Sequence, residues 1–252
     1  MTGPFDALDT ADRLTVTRTG HAVLVEFTRE EKRNAIDATT SAALSEVLRR
    51  AIDVELPLVL RSATRGMFVA GTDLDGLRRR TVGESLSRLN SRLFEQVAEH
   101  PWPTVAVVEG WALGGGCELA LACDLRISTP DASWGLPEVR LGLVPSAGGL
   151  TRLAQLVGQG AASDLVLSGR RIDGTEAHRL GLVQRLVAAE ALDEALDAVL
   201  GDLSRAAPLA QRLAKEAMRV TGDRHRLVDA TAQALCIASD DAQRRIARQL
   251  GE

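Results

Sequence analysis

Alternating apolar and polar residues near the start of the chain predict a β-hairpin. Its strands cover residues 13–18 and 21–28, and Thr19 and Gly20 form the turn between them. Four later runs of apolar residues between turn signals predict strands, the first of them buried. These runs are residues 57–63, 104–109, 125–128 and 183–187.

Helical patterns alternate with these strands over about the first 190 residues. Asp37 is suited to cap a helix over residues 38–52, and another helix over residues 83–99 ends before Pro101. An apolar helix opens with three glycines at residues 114–116. Shorter helices are predicted over residues 149–157 and 161–167 and from about residue 175.

The order of these elements predicts an α/β fold with a helical C-terminal region. Residues 1–190 form the α/β body that holds the candidate site. Residues 191–252 read as helix, with breaks near residues 207–208 and 221–222. The apolar face of this region packs either on its own body or on a neighbouring subunit.

The composition excludes several classes of protein. The 252 residues are 45% hydrophobic and 25% charged, with a formal net charge of −4, which indicates a soluble globular protein rather than a disordered one. The mild acidity gives no reason to expect a nucleic acid partner, and no charge-free stretch is long enough for a membrane span. The chain opens without an export signal and its three cysteines form no CxxC pair, so we expect a cytoplasmic protein.

Several common catalytic motifs are absent from the sequence. Neither lysine follows a glycine, so there is no P-loop, and the glycines at 158 and 160 follow a helical stretch rather than a strand. Ser146 lacks the glycine two residues earlier that a nucleophile elbow requires. The four histidines are scattered and form no metal-binding motif, so we expect no metal site.

Glu118 is the single charged residue in the apolar stretch of residues 110–123. Its neighbours three and four positions away are glycine, leucine and alanine, which do not suit a solvated glutamate on a helix. A carboxylate in apolar surroundings needs a partner or a function. The pattern therefore favours a catalytic glutamate.

Glu138 stands in a less distinctive loop, where pairing with Arg140 would make it an ordinary surface residue. The glycines and prolines that follow over residues 141–149 make this segment rigid. Two carboxylates in one pocket can divide acid and base work between them. Glu138 is therefore the second candidate.

The glycines at 114–116 supply another part of a site, because they open a helix. Backbone N–H groups lack partners there and the helix dipole is positive, so they can stabilise an anion on a carbonyl oxygen. The break at Gly71 and Thr72 can direct another amide to the same space. A tight turn is the ordinary explanation for a glycine run, but here a buried glutamate follows Gly115 by three residues.

Six segments with distinctive residues follow one another along the chain. They are residues 32–36, 68–74, 110–120, 137–149, 169–173 and 181–183. In this order and spacing they resemble the enoyl-CoA hydratase/isomerase (crotonase) superfamily over nearly the whole chain. Each segment alone is modest evidence, but the six together are specific.

This resemblance implies a spiral of ββα turns and a C-terminal helical region that builds trimers, often paired into hexamers. It also implies a coenzyme A thioester as the substrate, with no separate cofactor. The backbone N–H groups of Thr72 and Gly115 would form the oxyanion hole around the thioester carbonyl. Residues 70–74 would line the coenzyme A, with Lys32 or Arg33 near its phosphates. The positions implied for coenzyme A or substrate are Lys32, Arg33, Ala35, Ala70, Asp73 and Leu74.

Glutamates at both catalytic positions are typical of the hydratases, whereas the isomerases of the family typically keep only the second. Glu118 and Glu138 therefore favour hydration, in which one carboxylate takes a proton from water and the other delivers one to Cα. An isomerase that uses Glu138 alone is one alternative. A non-catalytic acyl-CoA-binding protein is the other.

Two departures from the family pattern bear on the acyl group. Residues 239–247 lack the glycine and phenylalanine found in many hydratases, although Arg244 or Arg245 could still meet a phosphate. Trp134 stands where a phenylalanine is common. The resemblance therefore does not define the acyl group of the substrate.

Overall fold

The computed structural model describes residues 5, 8, 10, 12–79, 81, 83, 89–219 and 225–250. The strands are β1 (Leu14–Arg18), β2 (Val23–Phe27), β3 (Leu58–Ser62), β4 (Thr104–Val108), β5 (Trp111–Leu113), β6 (Leu125–Ser128), β7 (Ser133–Gly135), β8 (Ile172–Asp173) and β9 (Arg185–Leu186). The helices are α1 (Ala38–Ala51), α2 (Leu74–Arg79), α3 (Leu89–Ala98), α4 (Gly115–Ala122), α5 (Gly149–Ser168), α6 (Gly174–Arg179), α7 (Leu192–Arg205), α8 (Pro208–Ala217), α9 (His225–Ile237) and α10 (Asp240–Leu250).

The larger of two sheets confirms the predicted hairpin and the four strands predicted after it. Its order is β1–β2–β3–β4–β6–β9. Strands β1 and β2 pair antiparallel, with Leu14 opposite Phe27, and the other neighbours pair in parallel. Every residue of β4 is buried, as expected where both faces of a parallel sheet are covered.

Helix α7 covers one face of this sheet. Apolar residues of the helix and of the strands form one buried cluster, which includes Leu192, Leu196, Val199, Leu200, Val59, Val105, Val107 and Ile127. The opposite face packs against α1, α3 and α4 in the main core. The first helix of the C-terminal region therefore packs on its own body.

A buried ion pair joins a later helix to the body. Lys215 of α8 is buried, pairs with Asp124 and donates a hydrogen bond to the carbonyl oxygen of Trp102 at 3.0 Å. The predicted break near residue 207 is confirmed, since Pro208 begins α8, and the break at 221–222 lies outside the described residues. The division of the chain at residue 190 stays a prediction. Among the described residues, no helix combines the length and the apolar character needed to cross a membrane.

A second, smaller sheet in the order β5–β7–β8 was not predicted. Its strands have only two or three residues, too few for a periodic pattern. The chain visits both sheets before it enters a helix. Strand β4 leads to β5 and then α4, and β6 leads to β7 and then α5. This repeated ββα path is the spiral that the family resemblance implied.

Helix boundaries follow local signals in the sequence. A carboxylate oxygen of Asp37 accepts a hydrogen bond from the amide of Thr40 at 2.8 Å and caps α1. The two helices predicted within residues 149–167 are confirmed as the two parts of α5, which is broken at Gly158 because its φ of +79° is not helical. Helix α3 ends before Pro101 as predicted. Residues 84–88 of that predicted helix lie outside the described residues.

The opening of α4 lies directly against the backbone of residues 69–72. A Cβ atom on Gly116 would stand 1.8 Å from the carbonyl oxygen of Val69. Gly71 has a φ of +128°, and a Cβ there would stand 3.1 Å from the carbonyl oxygen of Leu113. A β-bridge between Val69 and Ala112 joins the same two segments. Glycine therefore permits an approach that any side chain would block.

We expect Gly116→Ala to lower the free energy of unfolding by roughly 3 kcal/mol, because the added methyl group must separate α4 from Val69. Gly160→Ala is the matched control, since Gly160 lies in α5 with nothing within 4 Å of an added Cβ. Alanine at that position should stabilise the protein by about 0.5–1 kcal/mol. Urea unfolding measures both changes, and an unchanged midpoint for Gly116→Ala would contradict this account of the packing.

Candidate active site

The amide nitrogens of Thr72 and Gly115 lie close together. Gly115 is the first residue of α4, so its N–H has no acceptor within the helix. Thr72 forms a parallel β-bridge with Ile36, in which Ile36 donates to the carbonyl oxygen of Gly71 and accepts from the amide of Asp73. The amide of Thr72 itself takes no part in these hydrogen bonds and faces away from Ile36. A Cβ on Gly115 would stand 3.3 Å from the nitrogen of Thr72. Two amides in this arrangement suit a single carbonyl oxygen.

The hydroxyl of Thr72 has a partner that the sequence analysis did not identify. The amide nitrogen of Asn90 on α3 donates a hydrogen bond to Oγ1 of Thr72 at 3.0 Å. This contact joins α3 to the segment that carries the first amide. Nothing in the sequence around Asn90 indicated it, because the two residues are 18 positions apart.

Glu118 is buried, with 4% of its surface exposed. Its Oε1 accepts hydrogen bonds from the amides of Ala147 at 2.7 Å and Gly149 at 3.0 Å. Gly149 begins α5, so the carboxylate lies at the N-terminus of that helix, where a negative charge is favoured. Burial raises the pKa of Glu118, and the two amides and the charge of Arg152 oppose that shift.

Glu138 stands in a short 3-10 helix, Pro137–Leu141, and has a different environment. Its Oε2 is buried and, within the described part of the chain, has no hydrogen-bond partner. Burial raises the pKa of Glu138 to about 7, and the negative charge of Glu118 contributes to the rise. The pairing with Arg140 considered from the sequence is not formed, because Arg140 donates to the carbonyl oxygen of Ser168.

Three glycines, at positions 114, 115 and 149, leave room for the two carboxylates and the two amides to lie close together. A Cβ on Gly114 would stand 3.0 Å from Oε1 of Glu138, and one on Gly149 would stand 2.9 Å from Oε1 of Glu118. Gly114 immediately precedes Gly115, whose added Cβ would touch Thr72. The predicted catalytic pair and the predicted oxyanion pair therefore lie close to one another.

The residues predicted to contact coenzyme A form a second, adjacent group. The carbonyl oxygen of Arg33 accepts a hydrogen bond from the amide of Ala70 at 3.0 Å, and that of Lys32 accepts one from Ala35 at 2.9 Å. The side chains of Lys32 and Arg33 are exposed. The guanidinium of Arg33 lies 4.8 Å from the centre of the Trp111 ring.

Asp73 and Leu74 complete this group, and Arg29 holds it in place. Leu74 is the first residue of α2. The guanidinium of Arg29 forms ion pairs with Asp37 at 2.7 Å and Asp73 at 3.3 Å, and it donates to the carbonyl oxygen of Ala35 at 3.2 Å. Arg29 was not identified from the sequence, because its partners come from separate segments.

Trp134 belongs to the core of the protein. Its side chain is fully buried, and its indole N–H donates to the hydroxyl of Ser128 at 3.2 Å. Among the described residues, no group of three or more histidine, cysteine, aspartate or glutamate side chains could hold a metal ion.

Comparisons with known proteins show what the chain is similar to. A family model described as enoyl-CoA hydratase/isomerase matches residues 18–245. The human protein named enoyl-CoA hydratase domain-containing protein 2, mitochondrial, is 40% identical over 199 residues, 75% of this chain and 68% of that protein. Crotonyl-CoA hydratase of Syntrophomonas wolfei is 35% identical over 222 residues, 84% of this chain and 85% of that protein. The crystal structure of an enoyl-CoA hydratase from Bacillus anthracis matches with a TM-score of 0.89 and 31% identity, over 95% of this chain and 97% of that one.

We expect the half-buried Glu138 to make the protein less stable as the pH rises from about 4.5 to about 7. Its pKa is raised from 4.5 to about 7 in the folded state, so the folded protein binds this proton more tightly than the unfolded chain does. The resulting stabilisation is complete below the ordinary pKa and is lost as the pH passes the folded value. Glu138→Gln should therefore raise Tm at pH 8 by at least about 2–4 °C, the shift that 1 kcal/mol produces in a chain of this size.

Calorimetry at pH 4.5 and pH 8 measures this effect. The wild type and Glu138→Gln should melt at similar temperatures at the lower pH and diverge at the higher one. Glu194→Gln, a change on the exposed part of α7, is the control and should follow the wild type at both values. Equal Tm values for the wild type and Glu138→Gln at pH 8 would contradict the burial of an unpartnered carboxyl group.

Proposed function

Because the chain belongs to the enoyl-CoA hydratase/isomerase family, we propose that it is an enoyl-CoA hydratase. It would add water syn across the double bond of a 2-enoyl-CoA thioester and form a 3-hydroxyacyl-CoA. One observation carries the proposal, namely that a buried carboxyl group, Glu118, and a half-buried one, Glu138, lie in different environments close to the amides of Thr72 and Gly115. The name of the Syntrophomonas wolfei relative, crotonyl-CoA hydratase, supports a substrate of this class.

The amides of Thr72 and Gly115 would bind the thioester carbonyl oxygen. Negative charge develops on this oxygen when a nucleophile adds to Cβ, so fixed donors at this point lower the barrier. Both donors belong to the backbone, and their positions are set by the contact between α4 and residues 69–72. Threonine at position 72 therefore supplies the same N–H donor as any other non-proline residue.

The two glutamates would act on one water molecule and on Cα. Glu118 accepts two amide hydrogen bonds and faces Arg152, which favours its ionised form, so it is suited to take a proton from the water as the oxygen bonds to Cβ. Glu138 has an unpartnered oxygen and a pKa of about 7, so it is suited to deliver a proton to Cα. Each turnover moves one proton from Glu138 to the product and one from water to Glu118, and exchange with solvent restores both groups.

Coenzyme A would bind along the segment that Arg29 holds together. Lys32 and Arg33 are exposed next to Ala70 and can meet phosphates. Ala35, Ala70, Asp73 and Leu74 would line the remainder of the bound molecule, with Asp73 fixed by its ion pair to Arg29. Coenzyme A is part of the substrate, and the proposed reaction uses no separate cofactor and no metal. We further propose a cytoplasmic location.

We also propose a homotrimer or a pair of trimers. Large apolar side chains are exposed beside the 3-10 helix that carries Glu138, namely Leu141, Leu143 and Val144, and Met218 is 80% exposed in the C-terminal region. Exposed apolar groups of this kind are typical of surfaces between subunits. Sedimentation equilibrium should give three or six times the mass of the chain. A monomer at micromolar concentration would contradict the proposal.

We expect Glu118→Gln to lower kcat by about 10²–10⁴-fold, because it removes a general base. The amide oxygen of glutamine can still accept the hydrogen bonds from Ala147 and Gly149, so folding and substrate binding should be retained. The assay mixes the protein with a panel of 2-enoyl-CoA thioesters and follows the loss of conjugated-thioester absorbance. Glu194→Gln on α7 is the matched control and should keep full activity.

Each result of this assay has a definite meaning. Hydration that depends on Glu118 supports the proposal, and the best substrate of the panel identifies the acyl class. Migration of a double bond that survives Glu118→Gln would establish an isomerase instead. Binding without any turnover would indicate a non-catalytic acyl-CoA-binding protein, and the absence of binding would overturn the coenzyme A assignment.

A further inference from the structure

Arg152 lies in the first turn of α5, close to the backbone amides that donate hydrogen bonds to Glu118. Its Nη1 donates a hydrogen bond to the carbonyl oxygen of Ala147 at 3.0 Å. The amide of the same Ala147 donates to Oε1 of Glu118 at 2.7 Å. Ala147 is thus held from both sides, by the guanidinium and by the carboxylate.

The side chain of Arg152 reaches Ala147 by folding back across Gly148. A Cβ on Gly148 would stand 2.1 Å from Nη1 of Arg152, so the guanidinium occupies the space that a side chain would fill. Gly148 also has a φ of +97°, which glycine adopts without strain. The amide of Arg152 donates to the carbonyl oxygen of Gly148 at 3.0 Å. Two hydrogen bonds, one from the guanidinium and one from the amide, therefore hold Arg152 against the turn of residues 147–149.

Charged and titratable groups of two helices, and of the residues that follow them, face this guanidinium. They are Glu118 of α4 with Cys123 just after it, and Glu95 of α3 with Glu99 just after it. Burial lowers the pKa of Arg152, and the charge of Glu118 is the largest influence that opposes this. An arginine remains a cation in such surroundings. Its charge in turn opposes the rise in the pKa of Glu118.

We propose that Arg152 is a positioning residue, which fixes the turn of residues 147–149 by binding Ala147 and keeps Glu118 in place as an ionised acceptor. This inference rests on the proposed hydratase function for its consequence in catalysis. The effect of Arg152 on the ionisation of Glu118 does not depend on that function, because the charge state of Glu118 can be measured without a substrate. Arg152 itself contacts no reacting atom in this scheme.

The test compares Arg152→Met, which removes the charge, with Arg152→Lys, which keeps it. Arg49→Met is the matched control, because Arg49 pairs with Glu46 on α1 and not with this turn. The titration of Glu118 is followed by ¹³C NMR of protein labelled at the glutamate carboxyl carbons. The signal is assigned by its loss in Glu118→Gln. We expect the midpoint to move to higher pH in Arg152→Met, since a cation that favours the carboxylate is gone, and to stay near the wild-type value in Arg152→Lys and Arg49→Met.

Kinetics with the best 2-enoyl-CoA substrate give the second measurement. Arg152→Met should lower kcat on the order of 10- to 100-fold with little change in KM. The acidic limb of the pH profile, where Glu118 must be ionised, should move to higher pH. The basic limb, where Glu138 must be protonated, should stay near pH 7. In the Glu118→Gln background, Arg152→Met should have little further effect on kcat.

The outcomes separate this inference from the proposed function. A Glu118 midpoint that stays unchanged in Arg152→Met overturns the inference, and a lower Tm alone would then assign Arg152 a purely structural role. If Arg152→Met does not fold, a wild-type midpoint and near-wild-type kcat in Arg152→Gln overturn it instead. A wild type that hydrates no thioester overturns the proposed function, while the NMR titration still decides the inference about Arg152.

Discussion

The contact between the backbone of α4 and the backbone of residues 69–72 is the constraint on which the rest of the site depends. A side chain on Gly116 would collide with the carbonyl oxygen of Val69. Because the two segments meet without side chains between them, the amides of Thr72 and Gly115 reach the same space. Glu118 then follows one helical turn after Gly114 and lies inside the protein. The position of the Glu118 carboxylate is thus a consequence of how closely the backbone of α4 can approach that of residues 69–72.

Partial or full burial raises the pKa values of both carboxyl groups by the same mechanism, so the surrounding donors must distinguish them. Glu118 receives two amides from the N-terminus of α5. The Oε2 atom of Glu138 receives no donor from the described residues, and the charge of Glu118 adds to the effect of burial. Both side chains are glutamates, so the difference in backbone donors makes Glu118 the group suited to act as a base and Glu138 the group suited to act as an acid.

Two arginines hold the two halves of the site, Arg29 by joining segments that are separate in the chain and Arg152 by fixing a single turn. Arg29 binds Asp37, Asp73 and the carbonyl oxygen of Ala35, which keeps the predicted coenzyme A segment together. Arg152 binds the carbonyl oxygen of Ala147 next to Glu118. Because a guanidinium offers five donors in a fixed plane, one side chain can satisfy several acceptors at once.

Features whose signals are local could be predicted from the sequence. The hairpin, the cap at Asp37, the four later strands and the break before Pro208 follow from patterns of a few residues, and Glu118 stands out because it interrupts an apolar helix. The tertiary structure alone decided the small sheet, whose strands are too short for a pattern, and the groups that set the proton affinities of Glu118 and Glu138. Ala147 is 29 positions from Glu118. Burial and hydrogen bonds of this kind arise between segments that are distant in the chain, whereas a pattern in one sequence reports on near neighbours only.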